Sequence, residues 1–440
     1  MKDSGVEWIG EIPEGWDVVK IKYVSSLYGR IGWQGLTSNE YQESGPYLIT
    51  GTDFTNGHIN WDTCVHITLK RYEEATQIQI KNDDLLITKD GTIGKVAIVD
   101  ELDEKASLNS GVLLIRPINS RLYAVKFCYY ILLSDIFWKW YESNQTGNST
   151  IKHLYQEKFK EFSYPLPPLP VQYAISSYLD TKCSLIDSTI EREREVITKL
   201  KEYRQAVITE AVTKGIRPGV PMKDSGVEWI GEIPSDWSIG KIKYTTSKIG
   251  SGKTPKGGSE TYSEEGILFL RSQNIYDNGL NIEEATFISE NIDEEMANTR
   301  VYPDDVLLNI TGASIGRCCL YPSKMSYANV NQHVCIIRVI VNTMIPEYVH
   351  YFWISSSGQT SIDIYQSGAN REGLNFEQIG NTVIPYPPLL EQQEIADYLN
   401  AKCSGIDATI QKRELAIEKL TAYKQSLIYE CVTGKREVAA

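Results

Sequence analysis

The residues most able to do chemistry in this chain lie in short loops that mix glycine, amide side chains and a base. Thr88-Lys89-Asp90-Gly91-Thr92-Ile93-Gly94-Lys95 is one, with Lys89, Thr92 and Lys95 as candidates for contact. Gln145-Thr146-Gly147-Asn148-Ser149-Thr150-Ile151-Lys152 is a second and offers Gln145, Asn148, Thr150 and Lys152. Later come Lys253 and Thr254, then Arg271, Gln273 and Asn274, then Ser314 and Arg317, and finally Gln366, Asn370 and Arg371. Amide side chains match the donor and acceptor on an adenine edge and arginine matches guanine, while hydroxyls, lysines and backbone amides hold phosphate oxygens. The chemistry predicted by these residue types is recognition of a nucleic acid. Ordinary solvated turns have the same composition, so not every named residue is expected to make a contact.

Bond-breaking chemistry is harder to assemble. Gly250-Ser251-Gly252-Lys253-Thr254 ends like a phosphate-binding loop, but Ser247 stands where that pattern needs its first glycine and Pro255 follows directly. It reads as a basic surface loop. Leu166-Pro167-Pro168-Leu169 and Tyr386-Pro387-Pro388-Leu389 lack the acidic or amide residue before, and the aromatic after, that amino-methyltransferases carry around a Pro-Pro pair. The five histidines show no ligand spacing, and the eight cysteines form no paired C-x-x-C. No catalytic residue and no metal ligand are assigned; the chain is expected to be non-enzymatic and to bind no cofactor itself.

A formal net charge of −13 argues against a simple DNA-coating protein, because phosphate contact rewards a basic face. If the chain binds DNA, its basic groups must be local or a partner must supply the rest. No apolar stretch approaches a membrane span and the N-terminus lacks the apolar run of a signal peptide, so a cytoplasmic protein with no membrane contact is expected.

The elements that position these loops are duplicated. Met1-Lys2-Asp3-Ser4-Gly5-Val6-Glu7-Trp8-Ile9-Gly10-Glu11-Ile12-Pro13 returns residue for residue at 222–234. Leu179, Cys183, Ile186, Ile190, Ile197, Leu200 and Val207 lie in steps of four, three or their sum of seven, the seam of a helix that packs on another helix. Leu399, Cys403, Ile406, Ile410, Ile417, Leu420 and Leu427 repeat that seam 220 positions later. The chain thus carries its own partner helix. Prolines abut each helix start, and Gly215 and Gly434 follow each end. A helix over 171–213 would be roughly 60 Å long.

Between these ends, short β-branched runs such as Val112-Leu113-Leu114-Ile115 and Val334-Cys335-Ile336-Ile337 read as strands. The stretches 123–141 and 346–356 read as helices. The fold class is therefore α+β: two globular mixed α/β segments, each followed by a long α-helix, with the two helices packed as an antiparallel coiled coil. The expected division is a first recognition segment 1–165, a long helix 166–214, a linker 215–221, a second segment 222–385, a second helix 386–434 and a tail 435–440. Two copies that keep framework and helices but differ in their loops suggest one device reading two different things.

Together with Pro165-Leu166-Pro167-Pro168-Leu169 and Pro385-Tyr386-Pro387-Pro388-Leu389-Leu390-Glu391-Gln392-Gln393 at the helix starts, the repeated opening resembles the specificity subunit of Type I restriction–modification systems. Tyr203-Arg204-Gln205 and Glu210-Ala211-Val212-Thr213 resemble that family's helix end, and the likeness runs over the whole chain. It implies two target recognition domains, each reading one half of a bipartite double-stranded DNA site, with the helices setting the gap. It also implies two modification (methyltransferase) subunits that bind S-adenosylmethionine, and restriction subunits that use ATP and Mg. Such partners would supply the missing positive surface. Two alternatives stay open: a coiled-coil scaffold with protein-binding globular domains, and the specificity subunit of a methylation-only assembly.

Overall fold

Short aliphatic and β-branched runs ended by Asp, Gly or Asn become strands. In the computed structural model, which describes residues 1–30, 36–119, 121–144, 153–283, 285–340, 342–366 and 373–438, Leu85–Thr88 pairs antiparallel with Val112–Pro117, Leu86 opposite Leu114. Val96–Ile98 and Ser25–Gly29 flank them in a four-stranded sheet. A second sheet runs Val65–His66, Gln42–Ile49, Ala106–Leu108, Gln79–Ile80, and its central pair is parallel. Side chains alternate across a strand, so Leu86 and Leu114 enter a core with Ile49 and Leu108. Leu85, Ile87, Leu113 and Ile115 enter another with Phe127 and Phe137.

The second copy repeats this plan with different residues. Thr246–Ser251, Val334–Val339, Val306–Asn309 and Cys318–Leu320 form the antiparallel sheet; Thr286–Ile288, Ile267–Leu270, Ala328–Val330 and Arg300–Val301 form the other, again with one parallel pair. Buried frame contacts recur too. Asp84 and Asp305 each close a turn and take a charge-assisted bond from an arginine, Arg116 Nε at 2.6 Å and Arg338 Nε at 2.7 Å. A buried carboxylate is tolerated only with such partners.

The expected single helix over 123–141 is in fact two, Val125–Leu133 and Asp135–Ser143. Ser134 divides them: its hydroxyl bonds the Ile131 carbonyl and accepts the Ile136 N–H, and serine favours such a cap over a helix interior. The helix expected over 346–356 likewise ends early, as Pro346–Ile354, and is followed by Ser356–Gln366.

The long helices are α1, Leu169–Lys214, and α2, Leu389–Val432. At each start a buried glutamine pins the chain. Gln172 accepts the Ala124 N–H and donates to the Pro167 carbonyl; Gln392 does the same for Ile345 and Pro387. Each end passes into a left-handed glycine, Gly215 at φ 78° and Gly434 at φ 70°.

The chain forms two units, Met1–Glu193 with Leu415–Ala440, and Arg194–Glu414. The cut falls inside both long helices, so each unit holds one globular copy and parts of α1 and α2. In the first, Leu179, Cys183, Ile186 and Ile190 share a core with Leu427 and Cys431, and Lys424 Nζ lies 2.6 Å from Asp187. In the second, Val207 and Val212 share a core with Leu399 and Cys403, and Arg204 Nε lies 3.0 Å from Asp407. The early part of α1 thus meets the late part of α2 and the reverse, which is antiparallel packing. Ile197, Ile406 and Ile410 are buried; Leu200, Ile417 and Leu420 are half-buried.

Candidate nucleic-acid interface

In the second unit several predicted loops meet at one end of the antiparallel sheet. Thr311, just beyond the strand Val306–Asn309, bridges to Gly373, and the Leu374 N–H donates to the Ile310 carbonyl at 2.9 Å. The Gln366 amide bonds both the N–H and the carbonyl of Gly373. Asn370 and Arg371 lie outside the described residues. From the other side, the Lys253 N–H donates to the Val330 carbonyl at 3.2 Å, leaving the Lys253 side chain exposed, while Thr254 Oγ1 bonds Gln332 Oε1. Gly252 permits this approach, since a Cβ there would collide with the Val330 carbonyl.

The remaining candidates of this unit divide. Gln273 is exposed, whereas Asn274 is buried, its amide accepting the Arg271 N–H and donating to the Asn281 carbonyl, each at 2.9 Å. Asn274 therefore shapes its loop and drops out of the reading set. Arg271 is half-buried, its guanidinium 5.6 Å from the Tyr262 ring centroid. Ser314 accepts a bond from Asn309. The Arg317 guanidinium lies 4.8 Å from the Tyr276 ring centroid and lines a cleft of about 460 Å³ with Lys201, Arg204, Asp277 and Asp407. Burial pushes the Asp277 carboxyl up, against the Cys318 N–H that bonds it.

The first unit builds the same meeting place with other groups. The Lys89 N–H donates to the Gly111 carbonyl at 2.8 Å, and its own carbonyl accepts the Leu154 N–H at 2.9 Å. The loop 88–95 is thereby joined to Leu154; Gln145, Asn148, Thr150 and Lys152 lie outside the described residues. His153 pairs with Asp90 there. Thr92 is exposed, and Lys95 Nζ reaches the Gly51 carbonyl at 3.3 Å.

Reading the residue string missed Gln332 and His333, which sit at the centre of the second cluster. The signal was present in the run Asn331-Gln332-His333, polar groups set directly after the strand Ala328–Val330. Among the described residues no group of three or more His, Cys, Asp or Glu could hold a metal ion, and no helix is long and apolar enough to cross a membrane.

One frame used twice, with a different set of polar groups at the same sheet end and a shared pair of long helices, defines a two-domain recognition protein. The chain belongs to the family of Type I restriction–modification specificity subunits: residues 13–202 and again 234–419 match the model of the Type I restriction modification DNA specificity domain. Its two globular copies are the DNA recognition domains of such a subunit. It is 27% identical to the Type I restriction enzyme EcoBI specificity subunit of Escherichia coli, covering 80% of this chain and 73% of that one. With the MjaVIII specificity subunit of Methanocaldococcus jannaschii it shares 25% identity over 97% and 94% of the two chains. In fold it is similar to a chain from a structure of type I R-M complex assembly, with a TM-score of 0.74 at 16% identity over 97% and 100% of the chains. The HsdS subunit from Thermoanaerobacter tengcongensis gives 0.52 at 16% identity, over 97% and 98%.

Proposed function

We propose that each recognition domain reads one half of a bipartite, asymmetric DNA site, and that α1 and α2 set the number of base pairs between the halves. The observation that carries this reading is the pairing of a repeated frame with unlike polar clusters: Thr254, Thr311, Gln332 and His333 in one domain, Asp90, Ser110 and His153 in the other. Keeping the frame and exchanging the groups at its end is what reading two different half-sites requires.

In this reading the chain catalyses nothing itself. Two modification subunits dock on the helices, bind S-adenosylmethionine and methylate adenine, and ATP- and Mg-dependent restriction subunits join through them in the cytoplasm. The net charge of −13 supports the need for partners, since the phosphate backbone demands positive surface beyond what this chain carries.

Modified-base sequencing of DNA from a methylation-free host, with this chain and its cognate methyltransferase subunit present, tests the proposal. The expected result is methyladenine in both halves of a split motif with a fixed gap, lost when this chain is withheld. A stable complex without chain-dependent modification would favour a protein scaffold. Modification without ATP-dependent cleavage, with the full set of subunits present, would mark a methylation-only assembly.

A further inference from the structure

We infer that Gln332 is a specificity-determining residue of the second recognition domain, its amide edge reading one adenine of that domain's half-site. The inference rests on the DNA reading proposed above and names a residue that reads.

The first support is an internal comparison. Both domains turn the chain on an asparagine after the strand that pairs in parallel: the Asn109 N–H donates to the Ile49 carbonyl at 2.9 Å, the Asn331 N–H to the Leu270 carbonyl at 3.0 Å. Each asparagine then accepts, through Oδ1, the N–H two residues on, at 3.2 Å in Gly111 and 3.1 Å in His333. On this shared turn one domain displays Ser110-Gly111 and the other Gln332-His333. The backbone is the same and the chemistry shown is not.

The second support is that the exposed Gln332 is held. Its Nε2 and the His333 Nε2 are 3.1 Å apart, and its Oε1 is bonded by Thr254. An amide nitrogen only donates, so the His333 Nε2 accepts and the imidazole proton resides on Nδ1, which donates to Thr311 Oγ1 at 2.5 Å. A glutamine anchored on both sides loses less rotamer freedom on binding than one free in solvent.

The third support is a count. A glutamine amide has two N–H donors and two oxygen lone pairs. Among the described residues His333 takes one donor and Thr254 one lone pair, which leaves one of each for a ligand. Adenine presents an adjacent acceptor and donor on its major-groove edge and satisfies both; guanine presents two acceptors there and satisfies one. Lys253, exposed beside Thr254, is placed for a neighbouring phosphate.

The test is motif mapping by modified-base sequencing, using the complete complex of this chain with its modification subunit. With wild type, one adenine in the second domain's half-site should be favoured about 5- to 150-fold over other bases. Gln332→Ala should make that one position degenerate, leaving the other positions and the first half-site unchanged. Gln332→Glu, which keeps the shape but loses the donor, should move the preference at that position toward cytosine, whose amino group donates. It serves also if the alanine variant fails to assemble. An unaltered motif in an assembled variant, or an equal weakening at every position, overturns the assignment while leaving the specificity role intact. No chain-dependent motif with wild type overturns both.

Discussion

At the scale of single residues, His350 offers a sharp physical test. It lies on Pro346–Ile354, half-buried, and among the described residues its Nδ1 has no hydrogen-bond partner. Loss of hydration, with the Arg204 guanidinium as the lesser cause, pushes its pKa down to about 4. The unfolded chain takes up this proton near pH 6.5 and the folded one only near 4, so stability is lost as pH falls between them, by on the order of 3 kcal/mol at most. Denaturant melts of wild type and His350→Phe across pH 7 to 4.5 should show a shallower decline in the variant. Parallel curves would mean the imidazole titrates freely. Residue chemistry was only partly legible beforehand. Asn274 has the composition of a base reader, yet its amide closes its own loop, and Asp53 closes the matching loop of the other domain through the Thr50 N–H at 2.7 Å. A turn asparagine and a contact asparagine look alike until their partners are known.

At the scale of elements, the long helices show why some boundaries were legible. Proline cannot continue a helix backwards and glycine readily ends one; the expected span 171–213 is realised as Leu169–Lys214. The division at Ser134 depends on a side-chain cap competing with helix propagation, which periodicity does not register. What the helix starts require is also physical. Gln392 is fully buried and bonds the Ile345 N–H and the Pro387 carbonyl at 2.8 Å each. Gln392→Ala would strand both buried groups and should cost about 2 kcal/mol or more. Urea unfolding should report this as a lower midpoint with an unchanged slope. A loss under about 0.5 kcal/mol would show that water replaces the amide.

At the scale of the whole molecule, the duplication has a structural reason. In the first unit the repeated opening, through Pro13 and Trp16, crowds Gly434 at the end of α2; in the second, Trp237 of the other opening crowds Gly215 at the end of α1. Opening and helix end recur together because they form one contact, made between opposite copies. A division by sequence order places each helix with the copy before it, and that order carries no sign of this exchange. Each of α1 and α2 therefore serves both units, and the spacing proposal becomes testable through helix length. Four residues inserted after Thr198, with four more at the matching Glu418, 220 positions on, lengthen each helix by about 6 Å. Since DNA rises about 3.4 Å per base pair, the gap between half-motifs should grow by one or two pairs while both half-motifs keep their sequence. Four residues also turn the seam by about 40°, so weaker modification is expected alongside the shift. If both half-motifs are still read and the gap is unchanged, the helices hold the subunit together and something else sets the distance.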